Sequence, residues 1–210
     1  MIRTTRNQGA SRMPSAIRLR GTLAAITLLA LSGCIGLGGK PPKQLISLSP
    51  ATSAQVGPVT TGTMADAIVV LNPETDRSLD MLRVPVRVDA ATIAYLKDVA
   101  WVEKPAHQFR SLLSETLRAK TGRLVVEDGD FDTIGRTLVF GRLLAMGYDA
   151  QSHSVVVRVE MQRQEKNGAV TSRRFEAVEA NVDAKAAPVA QALGTAANDV
   201  AGQVADWVLN

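Results

Sequence analysis

The chain has 210 residues, 46% of them hydrophobic and 4% aromatic, with 24 Lys and Arg against 20 Asp and Glu and a formal charge of +4. The excess is local: Arg3, Arg6, Arg12, Arg18 and Arg20 fall within the first 33 residues and no acid does, which leaves 19 basic against 20 acidic residues in the rest. A nearly neutral body excludes a nucleic-acid surface built on net charge, and a single cysteine, Cys34, excludes an internal disulfide.

The arginines are followed by an apolar run from Gly21 to Leu31 (GTLAAITLLAL) and then by Leu31-Ser32-Gly33-Cys34. A basic stretch, a short apolar stretch and small residues before a cut make the order of a secretory signal. The apolar run is well short of the roughly 20 residues that span a bilayer. Leu31 to Cys34 resembles a lipobox. Small side chains let the Gly33–Cys34 bond fit a signal peptidase, and the Cys34 thiol accepts diacylglycerol as a thioether. Residues 1–33 are therefore expected to be a signal peptide and Cys34 the lipid-modified residue. A start at Met13 would give a more compact signal that keeps Arg18 and Arg20. Position 35 is Ile rather than the Asp that holds many such proteins at the inner membrane. That points to a cell-envelope protein facing the periplasm, on the outer rather than the inner membrane.

Residues 35–43 (IGLGGKPPK) are rich in Gly and Pro and nearly free of large side chains, so 34–43 read as lipidated cysteine and flexible tether. Residues 44–210 read as one domain, of a size that buries roughly 70% of its unfolded surface. Gln44 to Ser49 alternates and stops at Pro50; Ala51 to Asp66 is a loop; Ala67 to Leu71 is a short apolar strand. Met81 to Val88 places Leu82, Val84, Val86 and Val88 on one face, and Pro85 demands an edge or a bulge. Thr92 to Val102 divides into two short strands meeting near Lys97-Asp98. A helix follows from Pro105 to Lys120, with Phe109, Leu112, Leu113 and Leu117 on one stripe, Pro105 in its first turn and Gly122 as its cap. After a strand at Leu124 to Val126 come three more, at Arg136–Asp149, Ser154–Gln164 and Val170–Val178. Asn167-Gly168 joins the last two, both positions favouring positive φ. A second helix, Pro188 to Leu209, carries Val189, Leu193, Ala196, Val200, Val204 and Trp207 on one stripe. One α/β domain satisfies this order: a mixed β-sheet with an antiparallel meander and packed helices.

Residues that could carry chemistry do not assemble into a signature. His107 and His153 lack partners at a metal-ligand spacing, and no Gly-x-Ser-x-Gly, His-Glu-x-x-His or Gly-Lys-Ser/Thr phosphate loop occurs. Glu127, Asp128, Asp130 and Asp132 depart from the calcium-loop pattern and read as a solvated turn. Arg173-Arg174 suits an exposed strand edge, and Trp101 suits the core. No catalytic residue, metal site or cofactor is predicted, so the chain does not read as an enzyme.

Leu45-Ile46-Ser47-Leu48-Ser49-Pro50, Val84-Pro85-Val86-Arg87-Val88, and Ile93-Ala94-Tyr95-Leu96 leading to Trp101-Val102-Glu103-Lys104-Pro105 stand ahead of the helix Phe109 to Leu117. In this arrangement the chain resembles the ABC-type transport auxiliary lipoproteins, those of the paraquat-inducible system among them. The resemblance implies a three-layer α/β/α-like domain. It also implies a non-catalytic role beside an MCE-family lipid-carrier protein and an ABC transporter permease and ATPase, in lipid transport between the inner and outer membranes. The alternative is a lipoprotein activator or scaffold of a cell-wall synthase, because tethered α/β domains serve that role too. The neighbouring genes would separate the two.

Overall fold

A computed structural model describes residues 41–127 and 136–210. In chain order these form β1 (Gln44–Ile46), β2 (Ile68–Val70), β3 (Pro85–Arg87), β4 (Ile93–Tyr95), β5 (Val99–Trp101), α1 (Pro105–Lys120), β6 (Val125–Glu127), β7 (Thr137–Asp149), β8 (Ser154–Gln164), β9 (Val170–Glu179) and α2 (Ala186–Leu209), with a 3-10 turn at Met64–Asp66.

The longest strand, β7, organises the rest. Along one side it pairs antiparallel with β8 from Leu138 to Asp149, and β8 pairs antiparallel with β9. The other side is shared by separate pieces of one earlier stretch. β2 runs parallel to the start of β7 (Ile68 opposite Thr137), Glu74 bridges to Arg142, and β3 runs parallel to its end (Val86 opposite Tyr148). β6 adds to β2 in parallel and β4 adds to β3 antiparallel, while β1 and β5 form their own parallel pair. The register of β7 against β8 shifts between Leu143 and Ala145. That extra residue changes parity once, so Val139 and Leu143 before it and Met146 and Tyr148 after it join the same core.

Both helices cover one face. α1 buries Phe109, Leu112, Leu113 and Leu117 against β2, β6 and α2, and α2 lies along β7, β8 and β9. α2 presents Val189, Leu193, Val200 and Val204 together with Ala196, Ala197, Ala201 and Ala205, all fully buried, and the alanines allow a close approach to the sheet. Trp207 stands half-buried at the rim with its ring 5.6 Å from Phe175. The segment after β1 is strapped across both helices by side chains. The Leu48 N–H donates to Gln108 (2.8 Å) and the Ala54 N–H to Glu115 (2.8 Å), while Asn198 accepts from the Ala51 N–H (2.7 Å) and donates to the Ser49 carbonyl (2.9 Å).

The mixed sheet, the meander and the packed helices agree with the sequence, as does the division at Asp98, whose φ is +62°. Among the described residues two helices pack on the sheet, and the outward face of β8 and β9 is charged. Pro85 sits inside the sheet, between β4 and β7, where it is tolerated as the first residue of its strand. The alternation expected around it fails: Val84 and Pro85 are both buried, whereas Leu82 and Val88 are exposed. Helix α1 ends on an extended Thr121 whose N–H donates to Leu117, and Gly122 does not take a positive φ. In the β8–β9 turn only Gly168 does (φ +86°). The Gly168 N–H donates to Glu165 and the Glu165 N–H to Ala169, a three-residue loop closed by a glycine bulge.

Candidate functional site on the bare face of the sheet

Alternation along β8 and β9 sends Val155, Val157, Val159, Met161, Phe175 and Ala177 into the core. It leaves Val156, Arg158, Glu160 and Gln162 on the opposite face, across from Val178, Glu176, Arg174 and Ser172. Arg158 pairs with Glu176, and Arg174 with Glu160 at 2.5 Å. Beside these pairs, over the bulge of β7, lies a cavity of about 200 Å³. Its floor is Leu144, Ala145, Gly147 and Val156, and its walls are Pro85, Arg87, Ile93, Leu79, Ser78 and Arg158.

Local chemistry fixes each wall. Asp76 accepts from the Ser78 N–H (2.8 Å), the Ser78 hydroxyl (2.6 Å) and the Leu79 N–H (3.3 Å), which turns the chain and buries Leu79. A Cβ on Gly147 would stand 2.4 Å from the Pro85 carbonyl oxygen, so β3 can approach β7 this closely only over a glycine. Arg87 reaches from β3 to Asp149 on β7, its Nε 2.9 Å from the carboxylate. Burial pushes the Asp149 carboxyl toward the neutral form. The hydrogen bond from Arg87 and those from the Ser152 and Gln151 N–H groups outweigh it, and hold the group below the usual carboxylate range. The site therefore combines an apolar floor with guanidinium groups already matched by carboxylates. Such a site suits reception of an apolar group by exclusion of water.

The residues singled out in the sequence are dispersed. His107 is exposed on α1, 2.9 Å from Glu103; His153 turns the chain between β7 and β8 at φ +49°, its Nδ1 3.3 Å from the Tyr148 hydroxyl. No group of three or more His, Cys, Asp or Glu that could hold a metal occurs among the described residues. Glu127 is not part of a solvated turn: it ends β6 and pairs with Arg110 (3.2 Å) and Arg118 (3.3 Å). Asp128, Asp130 and Asp132 lie outside the described residues, as do Gly33 and Cys34. Trp101 is core, 1% exposed, and Arg173 and Arg174 stand on the edge strand, Arg173 at 5.1 Å over the Phe175 ring. Sequence reasoning missed the cavity, whose lining comes from separate stretches between Asp76 and Arg158. Its one local signal is Gly147 inside strand β7.

The family model for the ABC-type transport auxiliary lipoprotein component matches residues 47–205. Among solved structures, the crystal structure of an uncharacterized protein is 13% identical, with 79% of this chain and 98% of that one covered and a TM-score of 0.63. Protein XCC0632 from Xanthomonas campestris, of the DUF330 family model, is 16% identical over 79% of this chain and 94% of its own, with a TM-score of 0.60. At these identities the likeness is one of fold. No curated protein matches the chain.

Proposed function

From the premise that this chain belongs to the ABC-type transport auxiliary lipoprotein family, we propose that it is a non-catalytic, lipid-anchored component of an MCE/ABC-type system that moves lipids between the inner and outer membranes. The family match over residues 47–205 carries this reading. Membership itself implies an association with an ABC transport system and with the envelope. The finer statements rest on the sequence: signal peptide 1–33, lipid on Cys34, tether to residue 43, folded domain from 44, and the outer membrane facing the periplasm. A tether of about nine residues reaches on the order of 20 Å on average and roughly 30 Å when extended. That is short against the space between two membranes, so the MCE protein has to come to the domain. The fold supports a binding role, because both helices pack on the other face of the sheet and leave the cavity beside Val156 and Arg158 uncovered by either.

Affinity purification of the detergent-extracted protein tests the reading. MCE or ABC-transporter subunits are expected in the eluate, and a deletion strain is expected to be sensitised to agents that disturb envelope lipid balance. Recovery of a cell-wall synthase, with normal lipid distribution in the deletion strain, would overturn it in favour of an activator or scaffold of that synthase. Anchorage is tested by labelling with palmitate: the wild type should take label and Cys34→Ser should not, since no other thiol is present.

A further inference from the structure

We propose that the domain rests on the bilayer that holds its lipid anchor, through an apolar face formed by Leu45, Leu82 and Val102. The small sheet of β1 and β5 follows directly on the residues read as tether, with Leu45 opposite Ala100 and Ile46 opposite Trp101. Alternation turns Ile46 and Trp101 into the core, 5% and 1% exposed, and turns Leu45 and Ala100 outward. Val102 stands two residues on from Ala100, its N–H donating to the Ile46 carbonyl (3.0 Å). On the other side of β5 the Leu82 carbonyl accepts from the Trp101 N–H (2.7 Å). Leu45 is 62% exposed, Val102 49% and Leu82 46%. Single exposed apolar side chains are ordinary, but three gathered around one small sheet mark a contact surface.

What covers this face follows from where the chain is anchored, so the inference rests on the reading of Cys34 as the lipid-bearing residue. Leu45 comes eleven residues after Cys34, and a tether of about nine residues keeps the domain within on the order of 20 Å of the membrane. The face at the root of the tether thus meets lipid at a high effective concentration, where a weak contact suffices. Three partly exposed side chains are too few to hold an untethered protein on a membrane. Charges at the rim are matched, Lys43 with Asp98 (3.0 Å) and Lys104 with Asp80 (2.7 Å). Next to Leu82, the Arg83 guanidinium lies over the Tyr95 ring, 4.2 Å from its centroid, and both side chains have the amphipathic character that suits a membrane–water interface. The contact is therefore chiefly apolar and should persist at high salt. It would hold the domain in one orientation, so that a partner meets a fixed surface.

The test is fluorescence quenching of the lipidated protein in vesicles of phosphatidylethanolamine and phosphatidylglycerol. An environment-sensitive probe is placed on Ser47→Cys, two residues along from Leu45, and for comparison on Ser172→Cys of β9; both positions are exposed. With Cys34 lipidated, the introduced thiol is the only free one. Nitroxide-bearing lipids should quench the Ser47 probe at least about threefold more than the Ser172 probe, at low and at high salt. Leu45→Ser, Leu82→Ser and Val102→Ser together should bring it down to the Ser172 level with melting unchanged. Equal quenching at the two positions, or quenching that survives the triple substitution, overturns the docking face. So does a Ser47 probe shielded from aqueous iodide but not reached by lipid, which would assign the face to a protein contact. Palmitate labelling reads the anchor separately. A labelled chain with an unquenched Ser47 probe removes the docking face alone, whereas a wild type without label removes the anchor reading and the docking face with it.

Discussion

The two faces of the sheet are made from the same strands and have opposite characters. On β8, Val155, Val157, Val159 and Met161 are fully buried under α2, while one residue along in each case Val156, Arg158, Glu160 and Gln162 keep contact with solvent. A period of two lets a strand meet two unrelated demands, one per face. Here the covered face holds the main hydrophobic cluster of the described residues. The other face holds the cavity and the exposed ion pairs of β8 and β9, where recognition has room to vary.

That division can be broken most severely from the covered side. Leu193→Asp places an unpaired charge at a fully buried position of α2 and should cost about 4 kcal/mol or more, unfolding much of the population. Urea denaturation reads the loss, and a melt like that of the wild type would show that α2 does not depend on the sheet. On the bare side, Gly147→Ala should cost roughly 2–3 kcal/mol, because the new methyl group meets the Pro85 carbonyl at 2.4 Å and β3 has to move away. Hydrogen exchange should then speed up in β3 and β4 more than in the β8–β9 hairpin.

Asp149→Asn sharpens the comparison, since it tests the pairing of a buried carboxylate with the exposed Arg87 that ties β3 to β7. It should cost about 2 kcal/mol at neutral pH. The folded carboxyl lies below the ordinary carboxylate range, so its contribution is complete above the unfolded value of about 3.9 and disappears as pH falls through the lowered one. The gap between wild type and mutant should therefore be constant from neutral pH down to about pH 5 and close in stronger acid. A gap that persists unchanged at pH 2 would assign the loss to packing. The smallest effect is expected at Arg158→Ala, below about 1 kcal/mol, because its pairing with Glu176 is exposed to solvent and screened by salt.

Where the chain obeys a simple period, the sequence is legible. The meander, the stripes of α1 and α2 and the turn at Asp98 each follow from residues within one turn or one strand. Legibility ends where distant segments decide. The pairing of Val86 with Tyr148 draws Pro85 inside the sheet, against its local preference for an edge. Thr121 closes α1 in an extended conformation, which relieves Gly122 of the role its chemistry suits. The cavity was illegible because loop, strand and bulge each supply a fragment of its wall, and no fragment carries a catalytic or ligating pattern. The ion pairs of β8 and β9 were hidden for a related reason: their charges face the same side only once their register is known.

The parallel pairing of β2 carries a consequence for how the chain is born. A ribosome delivers residues in order, and β2 emerges long before either neighbour. Ile68 must wait for Val125 on one side and Thr137 on the other, and Gln44 must wait for Val99. Its three apolar residues, Ile68 to Val70, are thus naked throughout synthesis of the first half, and any early collapse they enter has to be undone. The β7–β9 meander, by contrast, can close as it appears, and α2 can dock on it at once. Assembly should therefore run backwards relative to synthesis, the carboxy-terminal half forming the template onto which the amino-terminal strands are threaded last. A chaperone that holds the chain extended during export would keep this order open.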